Sequence, residues 1–102
     1  MELATGLMEP KKIRRRERAK IYYDILCSII EQEDRESGDG VKITRVQIKV
    51  NLPSDSFRFH LREMNSLGLI EWRATLASTE KGRAFVSEYK KVVSVLERFG
   101  LL

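Results

Sequence analysis

The stretch from Thr44 to Ile70 constrains the fold of this chain more than any other. Its second half carries a signal for each end of a helix. Pro53 suits a turn or a first helical position, and Gly68 suits the left-handed residue that closes a helix. Between them, apolar residues recur at spacings of four and three, the period of one buried helix face. These residues are Phe57, Leu61 and Met64. The pattern predicts a helix over residues 55–67.

The first half of the same stretch predicts a shorter helix over residues 44–50. Thr44 is a suitable N-cap, and Val46 and Val50 stand four apart, so both can pack against the longer helix. Asn51 and the residue after it then turn the chain. Two short helices joined by a tight turn are typical of the helix-turn-helix, whose second helix lies in the DNA major groove. The same pattern also occurs in proteins that never contact DNA, and this alternative stays open.

Two short strands are predicted after Gly68, over residues 69–72 and 76–78. The link between them is short enough for a small hairpin. A hairpin that directly follows the second helix of a helix-turn-helix is the wing of a winged helix. Arg73 lies near the tip of this hairpin, where it could reach a DNA phosphate.

Two further helices flank this unit. Residues 17–34 carry a broad apolar stripe, which predicts a first helix. An acidic loop is predicted over residues 32–40, and a short strand over residues 41–43. Thr79 is a suitable N-cap for a last helix, with an acidic residue in its first turn.

The last helix carries an apolar seam with spacings of four, three, four and three, which is a heptad pattern of about two heptads. The seam residues are Phe85, Tyr89, Val92, Leu96 and Phe99. The pattern predicts a homodimer through this helix. The alternative is that the helix packs on its own domain. That alternative suits the first two seam residues, but the last two lie too far along the helix for a small body to cover.

The positive charge of the chain is concentrated at one end. Residues 1–20 contain seven Lys and Arg against three Glu, a net charge of +4, and the remaining 12 basic and 12 acidic residues cancel, which accounts for the whole net charge of +4. The basic run predicts a flexible arm over residues 1–16 that binds a polyanion. A solvated helix start is the alternative. The basic residues of this arm are Lys11, Lys12, Arg14, Arg15 and Arg16.

Several function classes are disfavoured by what the sequence contains. One cysteine (Cys27), one histidine (His60), no glycine-rich phosphate loop and no metal-ligand spacing predict a protein that is not an enzyme and has no cofactor and no metal. No apolar run approaches the length of a membrane span. The single cysteine favours a reducing, cytoplasmic setting.

Three segments, in order, resemble the archaeal ten-kilodalton winged-helix DNA-binding proteins. They are RAKIYYDIL at residues 18–26, TRVQIKVNL at residues 44–52, and TEKG at residues 79–82 followed by Phe85. The resemblance implies a winged helix whose long C-terminal helix pairs with its twin in an antiparallel coiled coil. It also implies double-stranded DNA as the partner. The chain departs from the family in a longer segment between residues 26 and 44, in an early end to the last helix, and in Ser78 where the family has leucine.

The predicted fold class is therefore mainly α with a small β-hairpin: a winged helix-turn-helix plus a C-terminal dimerisation helix. We expect the arm over residues 1–16, the winged helix-turn-helix over 17–78 and the dimerisation helix over 79–102. The expected function is DNA binding, as a dimeric transcriptional regulator or a nucleoid-associated chromatin protein. The alternative is a protein–protein adaptor that recruits a transcription partner.

The predicted DNA contacts fall into two groups. Phosphate contacts are expected from the basic arm, Arg45 and Arg73. Base-edge contacts are expected from one side of the helix over residues 55–67. The residues on that side are Ser54, Arg58, Phe59 and Arg62.

Overall fold

A computed structural model describes the backbone of residues 2–35 and 40–102 and the side chains of residues 18–35 and 40–102. In these ranges the chain forms helix α1, a helix-turn-helix, a two-stranded antiparallel hairpin and a last helix, which confirms the predicted mainly α fold with a small hairpin. Dimerisation through the last helix stays a prediction. The elements are α1 (Glu2–Arg35), α2 (Ile43–Val50), α3 (Ser54–Leu67), β1 (Ile70–Trp72), β2 (Leu76–Ser78) and α4 (Glu80–Arg98).

Helix α1 is longer than the sequence pattern predicts. It begins at Glu2 rather than near residue 17, and it continues to Arg35, so it takes in the first four residues of the expected acidic loop. Of the rest of that loop, residues 36–39 lie outside the described residues. The basic residues 11–16 fall within the bounds of α1, but their side chains are not described, and their role stays a prediction.

The core lies where one face of α1 meets α2, α3 and the hairpin. Its members are almost wholly excluded from water, and burying one such side chain stabilises the fold by about 1.5–3 kcal/mol. The predicted apolar residues of α3 are all fully buried, which confirms that face of the helix. The fully buried side chains are Phe57, Ile25, Leu26, Ile29, Leu61, Met64, Ile70, Leu76 and Val46.

The helix ends of the helix-turn-helix differ in part from the sequence pattern. Helix α2 begins one residue before Thr44, and Lys42 takes the N-cap without a side-chain hydrogen bond, so the predicted Thr44 cap is wrong. The helix ends at Asn51, whose φ of 57° is left-handed. Helix α3 follows Pro53 and ends at Gly68 with a φ of 81°, which confirms the predicted glycine stop. Asparagine and glycine tolerate this backbone region better than other residues do.

The hairpin has the predicted link and second strand, and its first strand begins at Ile70, one residue later than predicted. Ile70 pairs with Ser78 and Trp72 with Leu76. The strand that we expected over residues 41–43 is only a single bridge, in which the backbone N–H groups of Val41 and Leu76 each donate to the other residue's carbonyl, at 3.0 and 2.8 Å. One bridge forms here because α2 begins at residue 43 and leaves no room for a longer strand.

Thr79 joins the hairpin to α4, as predicted. Its Oγ1 accepts a hydrogen bond from the Gly82 N–H at 3.0 Å and donates one to the Gly68 carbonyl at 2.6 Å. Gly82 is buried because α4 approaches the start of the hairpin very closely there. A Cβ at this position would collide with the Leu69 carbonyl and would also come within 2.9 Å of the Leu26 side chain. The glycine therefore permits the contact between α4 and the core.

Glu33 fastens the end of α1 to the hairpin and to α4. Its carboxylate accepts hydrogen bonds from the Ser78 N–H at 2.8 Å and the Ser78 hydroxyl at 2.7 Å. Arg83 of α4 donates to the same carboxylate at 3.0 Å. Ser78, where the sequence departs from the archaeal proteins that it resembles, therefore has Glu33 as a hydrogen-bond partner in this chain.

Candidate nucleic-acid interface

Helix α3 presents one face to the core and the other to solvent. The side chains of Arg58 and Arg62 are exposed on the solvent side, as the helical period predicted. Phe59 lies between them along the chain and leaves 48% of its surface exposed, although a phenylalanine normally gains free energy by burial. The outer face of α3 therefore combines two cations with an apolar ring.

The hairpin stands at a fixed place beside α3. The Trp72 N–H donates a hydrogen bond to Oδ1 of Asn65 at 3.2 Å, which ties strand β1 to the last turn of α3. Arg73 follows at the hairpin tip, where its own N–H donates to the Thr75 carbonyl at 3.0 Å and its side chain is exposed. The structure thus brings an exposed arginine at the hairpin tip to the same helix-turn-helix unit as the α3 arginines.

A comparison with protein families matches residues 15–97 to a family described as winged helix-turn-helix. The chain belongs to this family. Comparison with curated proteins and with solved structures gave no significant match. In a winged helix-turn-helix, the second helix of the motif is called the recognition helix and the hairpin is called the wing, which here are α3 and the β1–β2 hairpin. Membership of this family suggests that the protein binds DNA.

The arginines of the recognition helix and wing differ from several other cations of this winged helix-turn-helix protein. Within the described part of the chain, the side chains of Arg58, Arg62 and Arg73 form no ion pair. Elsewhere, cations lie near carboxylates of neighbouring elements, and most of these pairs are partly exposed. These pairs are Arg18–Glu63 at 3.8 Å, Lys49–Glu31 at 3.7 Å, Arg83–Glu33 at 3.0 Å and Arg83–Asp34 at 3.9 Å. The three exposed arginines keep their charge available for another molecule.

Gln47 holds the turn of the helix-turn-helix, and the sequence pattern did not reveal it. Its side-chain Nε2 donates to the Leu52 carbonyl at 3.2 Å and to the Ser54 hydroxyl at 2.9 Å. Ser54 is the first residue of the recognition helix and is exposed. Only a residue that faces the turn could make both bonds, and that orientation is visible in the three-dimensional arrangement alone.

Helix α2 contributes a cation and an apolar residue to the surface. Arg45 is exposed, as expected for a phosphate contact, and it also interacts within the protein. Ile48 leaves 79% of its surface exposed, which no pattern in the sequence predicted. The basic side chains of residues 11–16 lie outside the described part of the chain.

His60 lies on the edge of the recognition helix that meets α1. Its ring contacts Tyr22 edge-on at 5.7 Å between centroids, and Phe59 at 5.6 Å. Burial lowers the pKa of His60 below its ordinary value of 6.5, the positive charge of Arg18 lowers it further, and the Glu63 carboxylate opposes both. His60 therefore lies in the contact between α3 and α1. Among the described residues no group of His, Cys, Asp and Glu side chains could hold a metal ion.

The five residues of the predicted α4 seam divide into two sets. Phe85 and Tyr89 are half-buried and contact each other, with 5.6 Å between ring centroids. Farther along, Val92 and Phe99 are 53% and 73% exposed, and Leu96 is half-buried. One of the two residues expected to lie beyond the reach of the domain is therefore partly covered. Phe85 and Tyr89 pack within the chain, and the exposed surfaces of Val92 and Phe99 remain available to a partner.

None of the helices in the described ranges is both long and apolar enough to cross a membrane.

Proposed function

We propose that this winged helix-turn-helix protein binds double-stranded DNA as a homodimer and places the recognition helix in the major groove. The role is non-enzymatic, either transcriptional regulation or chromatin organisation at the nucleoid in the cytoplasm. The observation that carries the proposal is the outer face of the recognition helix, where Arg58 and Arg62 are exposed without an ion-pair partner among the described residues. An unpaired arginine fork suits phosphate and guanine equally well, because both present acceptors in its plane.

The four predicted base contacts have distinct chemistry. Arg58 and Arg62 can each donate two hydrogen bonds to guanine O6 and N7. Phe59 can pack on a thymine methyl group, which would explain why an aromatic ring is left in water. Ser54 can hydrogen-bond to an acceptor at the start of the helix. Together these side chains would give the protein its sequence preference.

Phosphate contacts would position the recognition helix. Arg73 at the wing tip and Arg45 on α2 lie on elements that flank α3, so they can grip the backbone on either side of the groove. The five basic residues of 11–16 would add a contact that does not depend on sequence. Most of the affinity for random DNA would come from these groups.

Dimerisation would use the outer part of α4. Val92, Leu96 and Phe99 continue the heptad spacing past the aromatic contact of Phe85 and Tyr89, and Val92 and Phe99 are exposed. The resemblance to the archaeal ten-kilodalton proteins supports the same arrangement. A dimer doubles the number of phosphate contacts and presents two recognition helices to one duplex.

A protein–protein adaptor is the second candidate. Ile48 favours it, because an isoleucine that is 79% exposed beside charged groups has the character of a contact for another protein. The exposed ring of Phe59 also fits either candidate. In the adaptor, the winged helix would recruit a transcription partner and the α3 arginines would bind acidic side chains.

Binding to a random duplex at two salt concentrations tests the proposal. We expect binding at 50 mM salt that weakens steeply at 200 mM, because each neutralised phosphate contributes roughly 0.9 to the slope of log K against log salt. On a duplex that carries a site selected from a random pool, replacing both Arg58 and Arg62 with alanine should weaken binding much more than a matched loss of two cations on α4, Lys90→Ala with Lys91→Ala. No binding at 50 mM salt would reject the DNA proposal and leave the adaptor.

A further inference from the structure

The hydrogen bonds of Gln47 determine what the Ser54 hydroxyl can do. A carbonyl oxygen only accepts hydrogen bonds, so the amide group that faces the Leu52 carbonyl must be the nitrogen. That nitrogen has two hydrogens, and the second one points at Ser54 Oγ, 2.9 Å away. The serine oxygen is therefore an acceptor in this pair, and its own hydrogen is not used there.

Within the described residues the Ser54 hydroxyl donates no hydrogen bond. Its oxygen is held by Gln47, and its residue is exposed at the first position of the recognition helix. A hydroxyl that accepts a hydrogen bond becomes a better donor, because hydrogen bonds in a chain polarise one another. The arrangement thus aims a single polarised donor outward from the start of α3.

We propose that Gln47 is a positioning residue for DNA recognition, and that it acts by directing the Ser54 hydroxyl to donate to an acceptor atom of the duplex. The proposal rests on the proposed function. The acceptor is either a phosphate oxygen or a base acceptor such as purine N7, and both present the same chemistry to the hydroxyl. Gln47 itself does not touch the DNA in this arrangement.

The turn between α2 and α3 is short and supplies no other side-chain hydrogen bond at the N-cap of α3. Residues 51–53 join two helices with only three residues, and Pro53 at the N-cap of α3 supplies no side-chain hydrogen bond. Without Gln47, the Ser54 side chain would be free to change its rotamer. With Gln47, the serine oxygen and the Leu52 carbonyl are fixed to the same amide nitrogen, and the rotamer is set before DNA arrives.

A double-mutant cycle tests this inference with the full chain. The variants are Gln47→Met, which keeps the length but removes both hydrogen bonds, Ser54→Ala, and the pair together. Duplex affinity is measured on a site selected from a random pool and on an unselected duplex, at a temperature where circular dichroism shows every variant folded. We expect each single change to weaken binding about 2- to 10-fold, the value of one hydrogen bond, and the double change to be no worse than Ser54→Ala.

Two further variants separate positioning from a purely structural role. Ser54→Thr keeps a hydroxyl and should bind within about 2-fold of the wild type. Gln47→Glu reverses the bond, because a carboxylate accepts the serine hydrogen and leaves none for DNA. It should weaken binding more than Thr44→Glu, which adds the same charge to an exposed position of α2.

The outcomes distinguish this inference from the proposed function. Equal losses on both duplexes identify a phosphate acceptor, and a loss on the selected site alone identifies a base acceptor. Additive losses in the cycle would overturn the inference, since Gln47 would then act without Ser54. A wild type that binds DNA while Ser54→Ala has no effect also overturns it and leaves the proposed function intact. A wild type that binds no duplex overturns both.

Discussion

The ring of Tyr23 on α1 packs against the ring of Tyr89 on α4, with 4.7 Å between the ring centroids and 33° between the ring planes. Phe85 extends this aromatic contact by one helical turn. The first part of the predicted seam is therefore used within the chain, and only its outer part can join a second copy. The two parts should respond differently to mutation.

Tyr89→Ala should destabilise the folded protomer by about 1–3 kcal/mol, because it removes a half-buried ring from the contact with Tyr23. Phe99→Ser should leave the free energy of unfolding of the protomer nearly unchanged, since the ring is mostly in water. It should instead shift a dimer towards monomers. Urea denaturation and sedimentation equilibrium at micromolar concentration measure the two effects. A wild-type monomer, or a Phe99→Ser protein that dimerises as before, would contradict the dimer proposal.

Arg62→Ala should weaken binding to the preferred DNA site by ~1–3 kcal/mol and have little effect on random duplex, because a base contact contributes only where its base is present. Lys90→Ala is the matched loss of one exposed cation on another helix. Filter binding on both duplexes gives the comparison. Equal losses on the two duplexes would reassign Arg62 to a phosphate, and no loss on either would reject the groove-binding helix.

Replacing the five basic residues of 11–16 with glutamine should lower the salt slope of log K by roughly 2–3 per arm if three of them contact phosphate. The sequence preference should change little, because phosphates are the same at every site. Glutamine removes the charge and keeps a good helix former, so α1 is preserved. Titrations at several salt concentrations decide the point, and an unchanged slope would leave the run as a solvated helix.

His60 should make the protein less stable in mild acid. Its pKa is lower in the folded chain than the ordinary value of 6.5, so between these two values the unfolded chain binds more protons. The neutral ring therefore contributes stability above about pH 6.5, and that contribution is lost as the pH falls through 6.5 towards the lower folded value. His60→Gln should remove this part of the dependence.

Urea midpoints at pH 5, 6, 7 and 8 compare the two proteins. The wild type should lose more stability than His60→Gln between pH 7 and pH 5. The carboxylates titrate in both proteins, so the difference isolates the ring. Parallel pH curves would show that His60 has the same pKa in the folded and unfolded chains.

The sequence predicted those features that depend on near neighbours along the chain. The apolar period of α3, the left-handed stop at Gly68 and the Thr79 cap each lie within a few residues, and all three are confirmed. The family resemblance agrees with them in the order of the elements. The exposed positions of Arg58 and Arg62 follow from the same period.

The features that the sequence did not predict depend on residues from separate elements. Glu33 bonds to Ser78 and Arg83 across 45 and 50 positions, so no local pattern could reveal it. Gln47 acts across the turn in the same way. The prediction that Thr44 is the N-cap was wrong because α2 is positioned by the burial of Val46 in the core, and in that position the helix begins one residue earlier. Tertiary contacts outweigh a cap that contributes about 1 kcal/mol.

Gly82 restricts which residue a relative with the same arrangement of helices can have at this position. Its missing side chain is what lets α4 lie against the Leu69 carbonyl, so even alanine there would force the two elements apart. Exposed arginines can change with the DNA site that a protein recognises, whereas this backbone contact stays the same for any site. A relative that keeps the same α4 crossing must therefore keep glycine at this position, and a side chain there would indicate a different angle for the last helix.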